Sequence, residues 1–473
     1  MIALFIFLNV YFVSFLDKPE KTAPQLSPRA VEQRAKWNIP TDGMDYPVSA
    51  MYKDSLQRMK VKIYHQSRWF NGVTVEMDAK TAAKVEKLSF VTSVELTRDE
   101  SDPPRFAPRK RRMRAQMVYE SSLKTDEQMA TYNLHPLHEE GFEGKGILMA
   151  ICDGGFYNAN TLSCFRQKDL DLGHFDFTDD DTLGYDFYGS TGGHGTACLS
   201  VISGIQDDFY CSASKAQYYL MRSEENDTES PKEMDNLVAA LEKADSLGVN
   251  VFSVSLGYAW FDKEKWDLPK SALDGKSTRV SLAATIAARK GMLVCVAAGN
   301  EGDDETWRTI SAPADADSIL TVGAVSTTGI IGDFSSWGPS ADGRIKPEVC
   351  AVGVRTTLIN SDGEIVRSNG TSFATPLLAG MAASLWSALP DENAMQIRER
   401  IIRSSDRYSN PDMKQYGYGI PNAWKAYQMS IPTGIDNGQW TMDNRQCQKI
   451  MRNGQILIQR GDKTYTITGQ RME

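Results

Sequence analysis

The sequence predicts an α/β protein: one large domain on a parallel central sheet, a small N-terminal α+β domain before it and a small C-terminal β tail after it. Three observations predict this. Short continuous apolar runs recur at Ile147 to Cys152, Val251 to Val254, Met292 to Ala298 and Ile319 to Val325, as suits parallel strands buried on both faces. Helical stretches with 3.6-residue periodicity lie between them. At both ends of the chain the pattern changes to short alternating segments with turn signals. The composition fits a globular chain of 473 residues, with 41% hydrophobic and 24% charged side chains. The net charge of −9 argues against a nucleic-acid partner, because phosphate binding needs a cationic face. Seven cysteines, an odd number, are too few for a disulfide scaffold.

In chain order, residues 1–16 carry no charge and are mostly large and apolar. The stretch is short for a membrane span and reads as a signal peptide or anchor, although no Lys or Arg precedes the run and no A-x-A-like site follows it. Residues 17–46, rich in Pro, Lys and Glu, read as a linker. Residues 47–100 read as the α+β domain. A strand from Val73 to Met77 follows the turn signal Asn71-Gly72, a helix from Asp78 to Leu88 is capped by Asp78, and a second strand runs from Val91 to Leu96. Residues 101–116 hold Pro103, Pro104, Pro108 and the run Arg109-Lys110-Arg111-Arg112. They read as a basic linker, either a solvated charge run or an exposed cleavage point.

Residues 117–434 form the large domain. Its clearest helix is Ser230 to Gly248: Ser230, Pro231 and Glu233 make the start signal, and Leu237, Ala240, Leu241 and Ala244 recur at helical spacing. Thr278 to Lys290, Ser372 to Ser387 and Glu392 to Arg403 are further helices. Residues 435–473 make the β tail, with strands Gln455 to Gln459 and Thr464 to Thr468 around Gly461-Asp462.

Three segments of the large domain carry polar groups that packing does not require. Asp153 ends an apolar strand and is followed by Gly154-Gly155; His194 opens an apolar helix behind Gly192-Gly193; Ser372 sits in the first turn of a long apolar helix within Asn369-Gly370-Thr371-Ser372-Phe373-Ala374-Thr375-Pro376. Singly, such residues are a turn aspartate, a structural histidine and a helix cap, and His65, His135, His138 and His174 receive that plain reading. Together they offer a nucleophile, the base it needs, and the carboxylate that orients the base. A serine at a helix start also brings an unpaired N–H to the reacting oxygen.

The order Asp…His…Ser and the His-Gly-Thr and Gly-Thr-Ser-x-Ala-Thr-Pro blocks resemble the subtilisin-like serine peptidases, from about residue 145 to 428. The resemblance implies a three-layer subtilisin-like domain with Asp153, His194 and Ser372 as catalytic residues. It implies Asn300, at the end of Val296-Ala297-Ala298-Gly299, as oxyanion-hole donor. It implies Ser255, Leu256 and Gly257 as the strand on which a peptide substrate is laid. Departures are Gly154 where the family has Ser or Thr, Ala197-Cys198 where another His is usual, and Ala351-Val352-Gly353 for Ala-Pro-Gly. None removes a reacting atom. Residues 47–100 resemble the family's inhibitory propeptide, through Trp69-Phe70-Asn71-Gly72-Val73, Ala79 to Leu88 and Val91 to Glu95, a partner in cis to be cut off between about 100 and 116. The tail, through Lys449 to Gln455 and Tyr465 to Gly469, resembles the C-terminal sorting domain of Bacteroidetes type IX secretion, which implies the secretion machinery as a further partner.

No cofactor or metal is expected, though the resemblance leaves a structural calcium open. Asp179-Asp180-Asp181 and Asp303-Asp304-Glu305 read as solvated charge, and Cys152, Cys198 and Cys295 as buried thiols. The expected function is that of a secreted or cell-surface serine endopeptidase acting on proteins or peptides. The alternatives are a catalytically silent protein-binding module on the same fold and an esterase.

Overall fold

The computed structural model describes residues 8–20, 22–100, 125–165, 173–178, 188–189, 192–206, 208–225 and 228–430, and the strands of the tail between 447 and 472. The basic linker and Asp179-Asp180-Asp181 lie outside the described residues.

The N-terminal domain is a four-stranded antiparallel sheet in the order β2-β3-β1-β4, from β1 (Asn9–Phe15), β2 (Lys62–Ser67), β3 (Gly72–Met77) and β4 (Val91–Arg98). With it go α1 (Pro28–Lys36), α2 (Ala50–Arg58) and α3 (Ala79–Val85). Asp78 caps α3 as expected, accepting from Thr81 N–H at 2.8 Å. The apolar stretch read as a signal peptide or anchor is corrected here. From Asn9 to Phe15 it is an inner strand, paired with β3 on one side and β4 on the other. Tyr11, Val13 and Phe15 pack into the domain's own core with Leu56, Val73, Val75 and Val85. Val10 and Phe12 are buried on the opposite face, where Phe12 meets Arg279 of the large domain. A strand covered on both faces has no polar side, so its sequence imitates a leader's apolar run. The linker reading of 17–46 is corrected as well, since α1 lies within it and is capped by Ser27, which accepts from Ala30 N–H at 3.1 Å.

The large domain opens with the short helices α4 (Asp126–Ala130) and α5 (His135–Glu139). Its seven-stranded sheet has the order β11-β10-β9-β8-β5-β7-β6, and every described pairing in it is parallel. The strands are β5 (Leu148–Asp153), β6 (His174–Asp176), β7 (Gln217–Arg222), β8 (Val251–Val254), β9 (Leu293–Ala297), β10 (Leu320–Val325) and β11 (Val349–Val352). α6 (His194–Ser203) packs with α9 (Thr371–Ala388), and α7 (Pro231–Leu247) with α8 (Arg279–Arg289). The two pairs cover the two faces and make three layers. A β-hairpin, β12 (Thr356–Ile359) with β13 (Ile365–Ser368), and the helices α10 (Ala394–Ser404) and α11 (Ala423–Gln428) complete the domain. The N-terminal sheet lies across α7 through β1, β2 and β4. The tail is a four-stranded antiparallel meander, β14 (Cys447–Arg452), β15 (Gln455–Arg460), β16 (Lys463–Thr466) and β17 (Arg471–Met472).

Candidate active site

β5, β8 and β9 are neighbours in the sheet. Their carboxyl ends deliver Asp153, the segment Ser255 to Gly257 and Asn300 to one edge, where ligands of parallel sheets bind. Asp153 is the last residue of β5 and is fully buried. Its Oδ1 accepts from Gly154 N–H at 2.7 Å and lies 2.8 Å from His194 Nδ1. The approach depends on Gly195: a Cβ there would stand 2.4 Å from Gly155 O and 2.9 Å from the Asp153 Cβ. This explains the glycine that follows the histidine.

Asp153 Oδ2 has no hydrogen-bond partner. A Cβ at 154 would make only ordinary contacts with Glu224, at 3.7 and 3.9 Å. Gly154→Ser is therefore expected to fold and to raise stability by about 0.5 kcal/mol, through lower unfolded-state entropy. Denaturant titration reads this directly, and an unchanged or lower midpoint would contradict it.

His194 is about 29% exposed at its side chain. Burial opposes charge on its ring. The Asp153 carboxylate, the Cys198 thiol and the hydrogen bond to Asp153 outweigh that and hold its pKa well above the usual 6.5. Its Nε2 makes no hydrogen bond in this structure. Ser372, the second residue of α9, is buried, and Cys198 Sγ lies 3.8 Å from His194 Nδ1 and 3.4 Å from the Ser372 carbonyl. The next residue, Phe373, sets its ring 5.7 Å from the imidazole, centroid to centroid. The Ser372 Oγ lies 3.4 Å from Ser255 O. The Ser372 carbonyl accepts from Ser255 Oγ at 2.8 Å and from Cys198 Sγ at 3.4 Å.

Asn300 Oδ1 accepts from both Thr371 N–H and Thr371 Oγ1, each at 2.9 Å. These donors settle the amide's orientation, with Oδ1 on Thr371 and the NH2 left for another acceptor. Of the expected substrate strand, Ser255 is buried, Leu256 half-buried and Gly257 exposed. The role of Thr371 was not anticipated, although it stands in the Gly-Thr-Ser block; nor was the bridge that Cys198 makes between the histidine and the serine backbone.

Two groups of described residues bring three possible metal-ligating atoms within 4.8 Å of one another: Asp153 with His194 and Cys198, and Glu224 with Glu229 and Glu233. In the second, burial first and Glu229 next push Glu224 up to about 8, and burial, then Glu224, raises Glu233 well above its ordinary value. Asp304 Oδ1 accepts from Thr306 and Trp307 in its own loop. Cys152, Cys198 and Cys295 are free, buried thiols. His138 faces Ser212 O at 3.3 Å and His174 faces Tyr188 Oη at 3.5 Å, whereas His65 sits between the domains, 2.6 Å from Phe177 O and 3.1 Å from Asn236 Oδ1.

The chain was compared with known proteins. Residues 144–419 match the model of the subtilase family, and residues 10–114 match the peptidase S8 propeptide domain of Bacteroidota. The chain is 25% identical to subtilisin amylosacchariticus of Bacillus subtilis subsp. amylosacchariticus, over 80% of this chain and 87% of that protein. It is 26% identical to serine protease AprX of Bacillus subtilis, over 59% of this chain and 66% of that protein. Among solved structures, MycP1 from the ESX-1 type VII secretion system shares the fold, with a TM-score of 0.53 and 22% identity, covering 67% of this chain and 90% of that one. The propeptide match begins at residue 10, within β1, in keeping with that strand's place in the N-terminal sheet. With its central match covering more than half its length, the chain belongs to the subtilase family and is a subtilisin-like serine endopeptidase that carries its own propeptide domain.

Proposed function

We propose that this protein is an exported endopeptidase in which Ser372, His194 and Asp153 act as one unit. The observation that carries the reading is the 2.8 Å contact between Asp153 Oδ1 and His194 Nδ1, set beside the start of the helix that bears Ser372. Asp153 keeps the proton on Nδ1, which leaves Nε2 as the base. Rotation of the Ser372 side chain toward Nε2 precedes attack. Ser372 Oγ then adds to the peptide carbonyl as His194 takes its proton, and Asp153 stabilises the imidazolium. The oxyanion is held by the Asn300 NH2 and the Ser372 N–H. His194 returns the proton to the leaving amine, and water repeats the cycle on the acyl-enzyme. The substrate lies extended along Ser255 to Gly257 and adds as a strand. No step needs a metal or cofactor.

Delivery to the cell exterior or surface is part of this reading, through the sorting-type tail. Among the described residues no helix is long and apolar enough to cross a membrane.

The pH profile tests the reading. Catalysis needs neutral His194, and its raised pKa keeps the ring protonated to higher pH than an ordinary histidine. The kcat/KM of the processed enzyme on a peptide amide is expected to rise with pH through a pKa above 6.5. A rate that is flat across neutral pH would contradict it.

A further inference from the structure

The propeptide grips α7 at both ends. At the end near the active site, Arg98 pairs with Glu225 at 2.8 Å and Lys263 Nζ donates to Asp99 O at 2.8 Å. In the middle, Glu242 accepts from Arg68 N–H at 2.8 Å and Trp69 N–H at 3.2 Å. The far end is held by Arg68, which pairs with Asp245 and donates to Ser246 Oγ, and by a second part of the chain, the segment 22–46 with α1. Ser27 N–H donates to Ser246 O at 2.8 Å and Ser27 Oγ to Leu247 O at 3.1 Å. Arg29 donates to Gly248 O and Gly146 O at 3.0 Å each and to Asn250 Oδ1 at 2.6 Å. A Cβ on Gly248 would stand 2.8 Å from Ala30 N, so α1 lies against bare backbone. Below it, Arg34 joins Asp45 and Asp245 at 2.7 Å each, and Lys290 joins Asp45 at 3.0 Å, all four nearly fully buried.

We propose that segment 22–46 is a clasp with its own binding site, remote from the active site, and that it keeps the propeptide bound after the chain is cut beyond Glu100. The proposal rests on the reading of this region as an inhibitory propeptide. Remoteness follows from the helix: 17 residues of α7 span about 25 Å, from the edge of the sheet that bears Asp153 to the opposite edge. Separability follows from the chemistry. The groups the clasp covers are carbonyls at a helix C-terminus, which lack intrahelical partners, and Asp245 and Lys290, which become exposed when the propeptide leaves. Water satisfies all of them, so the catalytic domain does not need the clasp to stay folded. Two linked sites bind with far higher affinity than either one, so loss of the clasp should weaken retention of the cut propeptide by about 100-fold.

The test uses the full chain with a recognition site for an added specific protease after Glu100. The variants are Arg29→Ala and Arg29→Ala/Arg34→Ala, both in the propeptide, so the freed catalytic domain is identical in every sample. After cutting, dissociation of the fragment is measured by gel filtration and by its inhibition of a small peptide substrate. The proposal predicts co-elution for the wild type, dissociation at about 100-fold higher concentration for the double variant, and an intermediate value for Arg29→Ala. If the double variant does not fold, the half-buried Arg29→Ala alone decides. Retention equal to wild type in the folded variants overturns the clasp. Co-elution is read without catalysis, so an inactive enzyme would sink the proposed function and leave this result intact.

Discussion

Ser372→Ala is expected to lower kcat on a peptide substrate by roughly 10⁶-fold, the scale known for subtilisin itself when its serine is removed. In the proposed mechanism this hydroxyl forms the acyl-enzyme, and the Cys198 thiol does not replace it, since it is occupied with the Ser372 carbonyl and with the His194 ring. Burial pushes that thiol's pKa up, so it is not a ready nucleophile. Alanine suits a helical first turn, and the fold is expected to survive. The residual rate, measured on the processed variant, reports what binding and the oxyanion donors achieve alone. A loss of less than about 100-fold would mean that another group performs the attack.

Asp153→Ala is expected to cost roughly 10⁴-fold in kcat, again the scale known for subtilisin. The smaller loss reflects a different job. In the proposed mechanism Asp153 does not react; it orients His194 and stabilises its charged form. Its removal takes away the carboxylate that holds the His194 pKa up, while burial of the ring remains. The acid limb of the rate profile should therefore move to lower pH even as the maximum rate falls. Stability should change little, since one carboxylate oxygen is buried without a partner and its charge is costly. Kinetics across pH, with a melting curve as control, separate these effects. A lost rate with an unmoved limb would assign Asp153 a purely structural role.

The large domain was legible because its strands are buried on both faces and its helices on one. Val251 to Val254 stood out as an uninterrupted apolar run, and Ser230 to Gly248 carried its start signal, its apolar face and the glycine that ends it at φ 74°. The approach of His194 to Asp153 was foreshadowed by the glycine after the histidine, Gly195, whose Cβ would stand 2.9 Å from the Asp153 Cβ. β7 was missed: Gln217 and Arg222 bracket it, and Arg222 is buried only because Asp176 pairs with it across the sheet at 2.8 Å. β1 was misread because half of its covering comes from α7 and α8, more than 200 residues away in the chain, which no local pattern reveals. The clasp escaped for the same reason. Arg29 and Arg34 look like solvated helix charges until their partners, Asn250 and Asp245, are brought beside them.

The central claim is that Ser372 is a nucleophile activated by His194. Treatment of the processed enzyme with a fluorophosphonate, followed by mass spectrometry of its peptides, tests this most directly. The account predicts one adduct per chain, on Ser372, absent from Ser372→Ala and formed more slowly as the pH falls and His194 becomes protonated. An adduct on any other residue, or equal labelling of Ser372→Ala, would contradict it.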